Sequence, residues 1–140
     1  MNALSQNITW TDIEQLTKLL SKKILESSKK FSSISTVSRG GLVPARLLAD
    51  HLGIDIILVD ENKISSNSLF VDDIYDSGKT FKKIIQKVTN PSDFVYATLF
   101  ARQGKQYPKQ LVYAQKTKGA EYIVFPWDAL EYKRFKNTAL

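Results

Sequence analysis

Apolar residues along this chain fall into two alternating rhythms, short unbroken runs and stretches repeating at helical spacing, which predict strands and helices in turn. Ile13, Leu16, Leu20 and Ile24 recur a helical turn apart, so a helix is expected from Thr11, capped there with Glu14 completing a capping box, up to the polar stretch 27–30. Residues 31–38 read as the first core strand. A Gly40-Gly41 turn then leads into a helix over 42–52, with Pro44 in its first turn and Gly53 as its stop. Strands follow at 54–59 and 68–72, then a helix after Thr80 carrying Phe81, Ile84, Ile85 and Val88, then strands at 94–100, 111–114 and 122–125. Segments 62–67 and 103–109 read as loops. The alternation predicts an α/β fold, a doubly wound, mainly parallel sheet with flanking helices, in a single domain over residues 1–140.

Composition narrows the class without naming a function. A chain of 140 residues with 43% hydrophobic content can bury a substantial core. Cysteine is absent, no apolar leader precedes the first helix and no run reaches membrane-spanning length, so a soluble cytoplasmic protein without disulfides is expected. The net charge of +6 suits polyanionic partners, but the lysines are dispersed over the helices as a solvated face, and neither a nucleic-acid nor a membrane partner is expected. His51, the only histidine, sits among Leu47, Leu48 and Leu52 with no partner for a catalytic dyad, so a helix-surface or packing role is expected.

Chemistry concentrates in LFVDDIYDSGKT, from Leu69 to Thr80. Leu69, Phe70 and Val71 suit a strand buried on both faces, and ligands bind beyond the carboxyl ends of such strands. Asp72 and Asp73 would face opposite ways on a continuing strand, so both serve one ligand only where the strand turns into a loop. Asp76, Ser77, Gly78, Lys79 and Thr80 then open the next helix, where backbone N–H groups suit a phosphate. A nucleotide P-loop is set aside, because Asp73 stands where that motif needs glycine and would repel phosphate. Ser77 as a plain N-cap and the aspartates as turn formers is the competing structural reading.

This segment resembles the phosphoribosyl pyrophosphate (PRPP) signature of type I phosphoribosyltransferases. SRGGLVPARLLADHLGI, beginning at Ser38, resembles the pyrophosphate loop and following helix of the bacterial xanthine-guanine subfamily, and EYIVFPWD, beginning at Glu121, its C-terminal base-binding segment. The resemblance implies that fold with a small C-terminal hood, and transfer of the 5-phosphoribosyl group from PRPP to a 6-oxopurine (guanine, xanthine or hypoxanthine). It implies that Asp72 and Asp73 hold the ribose hydroxyls and Mg²⁺, that Asp76 exchanges a proton with the purine N7, and that Ser77, Gly78, Lys79 and Thr80 grip the 5′-phosphate. Ser38, Arg39, Gly40 and Gly41 are expected at the pyrophosphate, with a cis peptide at Ser38-Arg39. For the base, the resemblance implies stacking on the Tyr122 ring, acceptance by the Tyr122 and Ile123 carbonyls, and closure by Pro126-Trp127-Asp128. A homodimer or homotetramer is the implied assembly.

Two departures bear on function. Arg102 stands where the subfamily carries a lysine that donates to the purine 6-oxo group, and the guanidinium differs in length and shape. Where the family inserts a long mobile loop over PRPP, only residues 60–68 are available. The alternative expectation is therefore a PRPP- or nucleotide-binding regulatory protein with weak or no transfer, unless a neighbouring subunit or the 103–109 loop covers the site.

Overall fold

The computed structural model describes residues 4–138. Five parallel strands form the central sheet: β2 (Ser33–Thr36), β3 (Ile57–Val59), β4 (Ser68–Tyr75), β5 (Tyr96–Ala101) and β6 (Leu111–Lys116), in the spatial order β3-β2-β4-β5-β6. Helices α1 (Trp10–Glu26) and α2 (Leu42–Leu52) pack on one face against Ile34, Leu69, Val71, Ala97 and Leu99. On the other, Phe70 and Tyr96 meet Phe81 and Ile84 of α3 (Lys79–Ile85). This is the expected parallel sheet with flanking helices. Among the described residues, no helix is long and apolar enough to cross a membrane.

Several boundaries differ from the sequence pattern for identifiable reasons. Thr9, rather than Thr11, caps α1: its hydroxyl accepts from the Asp12 N–H at 3.1 Å, while Asp12 Oδ2 accepts from the Thr9 N–H at 2.9 Å. Ile8 and Ile13, buried in one core on either side of that cap, staple the entry, and the Val124 carbonyl holds the Ile8 N–H at 2.9 Å. The strand expected at 122–125 stays outside the main sheet. It becomes β7 (Tyr122–Val124), paired in parallel with the short β1 (Ser5–Asn7) as a two-stranded hood. A last helix, α4 (Ala129–Thr138), was not signalled by apolar periodicity.

The chain reverses its direction of growth between β2 and β4, and this switch point positions the site. β2 pairs with β4 only as far as Thr36 opposite Val71, while β5 follows β4 to Ala101 opposite Tyr75. Residues from Asp72 onward therefore have one open edge. The 60–68 segment does not form a lid: Ile64 bridges to Val88, its N–H donates to the Lys87 carbonyl at 2.9 Å, and Ser66 is buried.

Candidate functional site

The β2–α2 loop folds back over β4 because Gly41 permits close approach. A Cβ there would lie 2.0 Å from Thr36 Oγ1 and 2.8 Å from the Val71 carbonyl oxygen, the pair that closes the last rung between β2 and β4 with a 2.6 Å hydrogen bond. Gly41→Ala is expected to lower stability by about 2 kcal/mol, the usual cost of overpacking, read as a drop of several degrees in melting temperature. An unchanged melt would mean that this contact relaxes freely. Earlier in the loop, Asp60 Oδ1 accepts from the Ser38 N–H at 3.0 Å and Oδ2 from the Ser38 hydroxyl at 2.5 Å. Those bonds hold the Asp60 carboxyl below its usual range and tie the loop to the end of β3. The Ser38–Arg39 peptide is cis.

Contrary to expectation, β4 does not turn into a loop at Asp72 but runs on to Tyr75. Asp72 and Asp73 consequently face opposite sides of the strand. Asp72 shares the Phe70 face, where Tyr96 donates its hydroxyl to Asp72 Oδ2 at 3.2 Å; Asp73 faces the glycine loop, its Oδ2 2.8 Å from where a Gly40 Cβ would stand. Both nevertheless line one cavity of about 270 Å³, together with Ser38, Asp76, Ser77, Gly78, Lys79 and Thr80. The open edge of β4 makes this possible, because the loops from both faces converge on it.

Burial raises the Asp72 carboxyl above its ordinary value, with bonds from the Asp73 N–H and Tyr96 opposing. Asp73 is pushed well up, first by burial and then by the neighbouring Asp72 charge. Burial and the Asp72 charge also push the Tyr96 phenol far up, so it remains a donor. Two poorly hydrated carboxylates with hard oxygen donors fit a divalent cation that completes its shell with water and ligand phosphates. Among the described residues no group of three or more histidine, cysteine or acidic side chains could hold a metal ion.

At the next turn Gly78, at φ 87°, is the residue before α3, and no side chain caps the helix there. Ser77 is therefore not the N-cap; its hydroxyl accepts from the Lys79 N–H at a long 3.4 Å. A Cβ on Gly78 would come within 2.7 Å of the Tyr75 hydroxyl, so only glycine fits by both criteria. The turn leaves Ser77, Lys79 and Thr80 exposed at the cavity mouth.

Arg102 departs most from its expected part. Its Nε donates to Asp76 Oδ1 at 3.0 Å and Nη2 to Asp76 Oδ2 at 3.4 Å, while Nη1 donates to the carbonyls of Gly119 at 3.0 Å and Glu121 at 2.8 Å. The guanidinium thus straps Asp76 to the segment before β7. One Nη2 proton remains for a ligand. Arg102 and Asp76 share a second cavity, of about 680 Å³, with Gln103, Lys105, Lys118 and the exposed Tyr122.

On β7, the Tyr122 N–H donates to the Leu4 carbonyl at 2.8 Å and the Val124 carbonyl accepts from Ile8. In a parallel ladder the N–H and C=O of one residue face the same neighbour, so the Tyr122 carbonyl is turned toward β1 and is not the free acceptor expected. The Ile123 carbonyl points the other way. Trp127 stacks on Phe125 at 4.8 Å and tilts against Trp10, as a packing residue. His51 is exposed on α2.

Among curated sequences, a xanthine-guanine phosphoribosyltransferase of Gluconobacter oxydans is 27% identical over 146 residues, spanning 86% of this chain and 83% of the relative. The solved purine phosphoribosyltransferase of Pyrococcus horikoshii superposes with a TM-score of 0.69 at 27% identity, covering 88% of this chain and 93% of its own. In sequence and in fold this chain is similar to the purine phosphoribosyltransferases. No protein-family model matches it. A Helicobacter pylori xanthine-guanine-hypoxanthine phosphoribosyltransferase, at 19% identity, shares the fold with a TM-score of 0.73 over 95% of this chain and 99% of its own. The switch-point cavity is thus carried on a purine phosphoribosyltransferase fold.

Proposed function

We propose that this chain transfers the 5-phosphoribosyl group from PRPP to a 6-oxopurine, guanine, xanthine or hypoxanthine, giving the nucleotide and pyrophosphate. The observation that carries the reading is the juxtaposition of two cavities joined at Asp76: an acidic, glycine-lined cradle on one side and an arginine-backed pocket with an exposed tyrosine on the other. In this reading the loop from Ser77 to Thr80 binds the 5′-phosphate, Asp72 and Asp73 take the ribose hydroxyls, and the loop from Ser38 to Gly41 takes the pyrophosphate. The purine stacks on Tyr122, with its 6-oxo group at the remaining Arg102 proton and a 2-amino group at the Ile123 carbonyl. As the ring nitrogen bonds to the anomeric carbon and the bond to pyrophosphate breaks, the Asp76 carboxylate receives the N7 proton. Asp72 and Asp73 also stabilise positive charge developing on the ribose. Mg²⁺ held by Asp72 and Asp73 would neutralise charge on the departing pyrophosphate.

Incubation of the protein with each base, PRPP and Mg²⁺ tests this, with nucleotide formation by chromatography as the expected result. No nucleotide from any base, with PRPP still bound, removes the transferase reading. The anchored 60–68 segment supports a second reading, a PRPP- or nucleotide-binding regulatory protein, for which calorimetry would record binding without turnover. Assembly as a homodimer or homotetramer belongs to the same proposal, and light scattering after size exclusion reads it.

A further inference from the structure

Helix α4 returns over the site and touches it at two places. Its Tyr132 ring stacks on Tyr122 with centroids 5.7 Å apart and 21° between the planes. One residue earlier, Glu131 Oε2 lies 3.1 Å from Arg39 Nη2. These four side chains, with Gly40 and Asp128, line a cavity of about 680 Å³ that meets the phosphate cradle at Gly40 and the arginine-backed pocket at Tyr122. A carboxylate offers a guanidinium the same paired acceptor oxygens as a phosphate does, so Glu131 occupies the donor that a pyrophosphate group needs. The side chain of Arg39 is 71% exposed and that of Glu131 39%, so the pair is weak enough for a multiply charged anion to exchange with it. Tyr122 is largely exposed even with Tyr132 against it, and a ring standing alone on a short hood strand would hold a stacked base poorly.

We propose that α4 completes the site: Tyr132 is a positioning residue that braces the base-stacking ring of Tyr122, and Glu131 holds Arg39 until the pyrophosphate group of the substrate displaces it. This rests on the transferase reading for the identity of the ligands, but the ion-pair exchange is measurable without turnover. Glu131→Gln removes the charge that pairs with Arg39 without changing side-chain size, leaving Asp128 as the other carboxylate facing it. It is expected to tighten inorganic pyrophosphate in calorimetry, and to lower the KM for PRPP, by about two- to fivefold, while the KM for guanine stays put. Tyr132→Ala is expected to raise the KM for guanine by about three- to tenfold with the KM for PRPP unmoved, and Tyr132→Phe, which keeps the ring, to restore it.

The split between the two constants is decisive, because a helix that merely stabilised the fold would move both together. Unchanged or weaker pyrophosphate binding by Glu131→Gln overturns the part assigned to Glu131. Equal changes in both KM values, or no rescue by phenylalanine, overturn that of Tyr132. If the native chain makes no nucleotide from any base, the transferase reading fails, whereas the pyrophosphate measurement, and guanosine monophosphate binding by the Tyr132 variants, still decide the two parts.

Discussion

An Asp73→Asn protein should lose about 10²- to 10³-fold in transfer rate and yet melt at a higher temperature than the native chain in Mg²⁺-free buffer. The two effects share one cause. Burial raises the Asp73 carboxyl well above its ordinary value, and the charge of Asp72 raises it further, with only the Ile74 N–H at 2.7 Å among the hydrogen bonds lowering it. Since the folded value lies above the unfolded one, the folded state binds more protons between them, and stability falls as pH climbs through that interval. Above the raised value the penalty is present in full. Asparagine keeps the shape without the charge, so the relief should appear as a gain of a few degrees at neutral pH and a shallower loss of stability as pH rises above the ordinary carboxylate range. Mg²⁺ with PRPP should close the gap by stabilising the native chain more than the variant. Melting curves across pH, with and without Mg²⁺, provide the comparison; a variant that melts no higher shows the repulsion to be already neutralised, and one that keeps its rate removes Asp73 from the chemistry.

The same strand shows what was legible beforehand. Leu69 to Val71 is apolar at every position because both faces of β4 are covered, and that run announced a central parallel strand from sequence. Where the strand ended was not legible, since adjacent aspartates look like a loop, and only pairing with β5 carries β4 on to Tyr75. The cap of α1 moved to Thr9 for a similar reason: Ile8 is fixed by a strand far along the chain, a tertiary contact that no local pattern contains. α4 lacked a signal of another kind. Glu131 and Tyr132 tie it to site residues, and its sequence carries no apolar repeat like the one that reveals α1. Of the candidate residues, those in the two glycine loops and the acidic strand end share one cavity or its rim, because their motifs encode backbone turns as well as chemistry. Arg102 was found by position, but its work was not, because a guanidinium's partners depend on where the chain brings carbonyls from Gly119 and Glu121.

Replacing Arg102 by lysine, the residue carried there by the subfamily that the sequence resembles, should impair this chain rather than improve it. A lysine that only donated to the purine 6-oxo group would be a fair substitute. In this site, however, four N–H groups of one planar fork reach Asp76 through Nε and Nη2 and two carbonyls through Nη1. An ammonium is a compact charge that cannot span those three partners at once. With the Arg102 side chain only 13% exposed, Arg102→Ala removes the donor to the Glu121 carbonyl, leaves the Gly119 carbonyl with the Thr117 hydroxyl alone, and strips Asp76 of its paired charge. The expected loss in kcat/KM for guanine is about a hundredfold for alanine and about tenfold for lysine, with kcat falling as well as KM rising because Asp76, the proposed proton acceptor, is no longer held. Melting temperatures recorded alongside separate this from unfolding. A lysine variant that matches or exceeds the native rate would mean that Arg102 acts as a carbonyl donor alone, and that Asp76 finds its position without it.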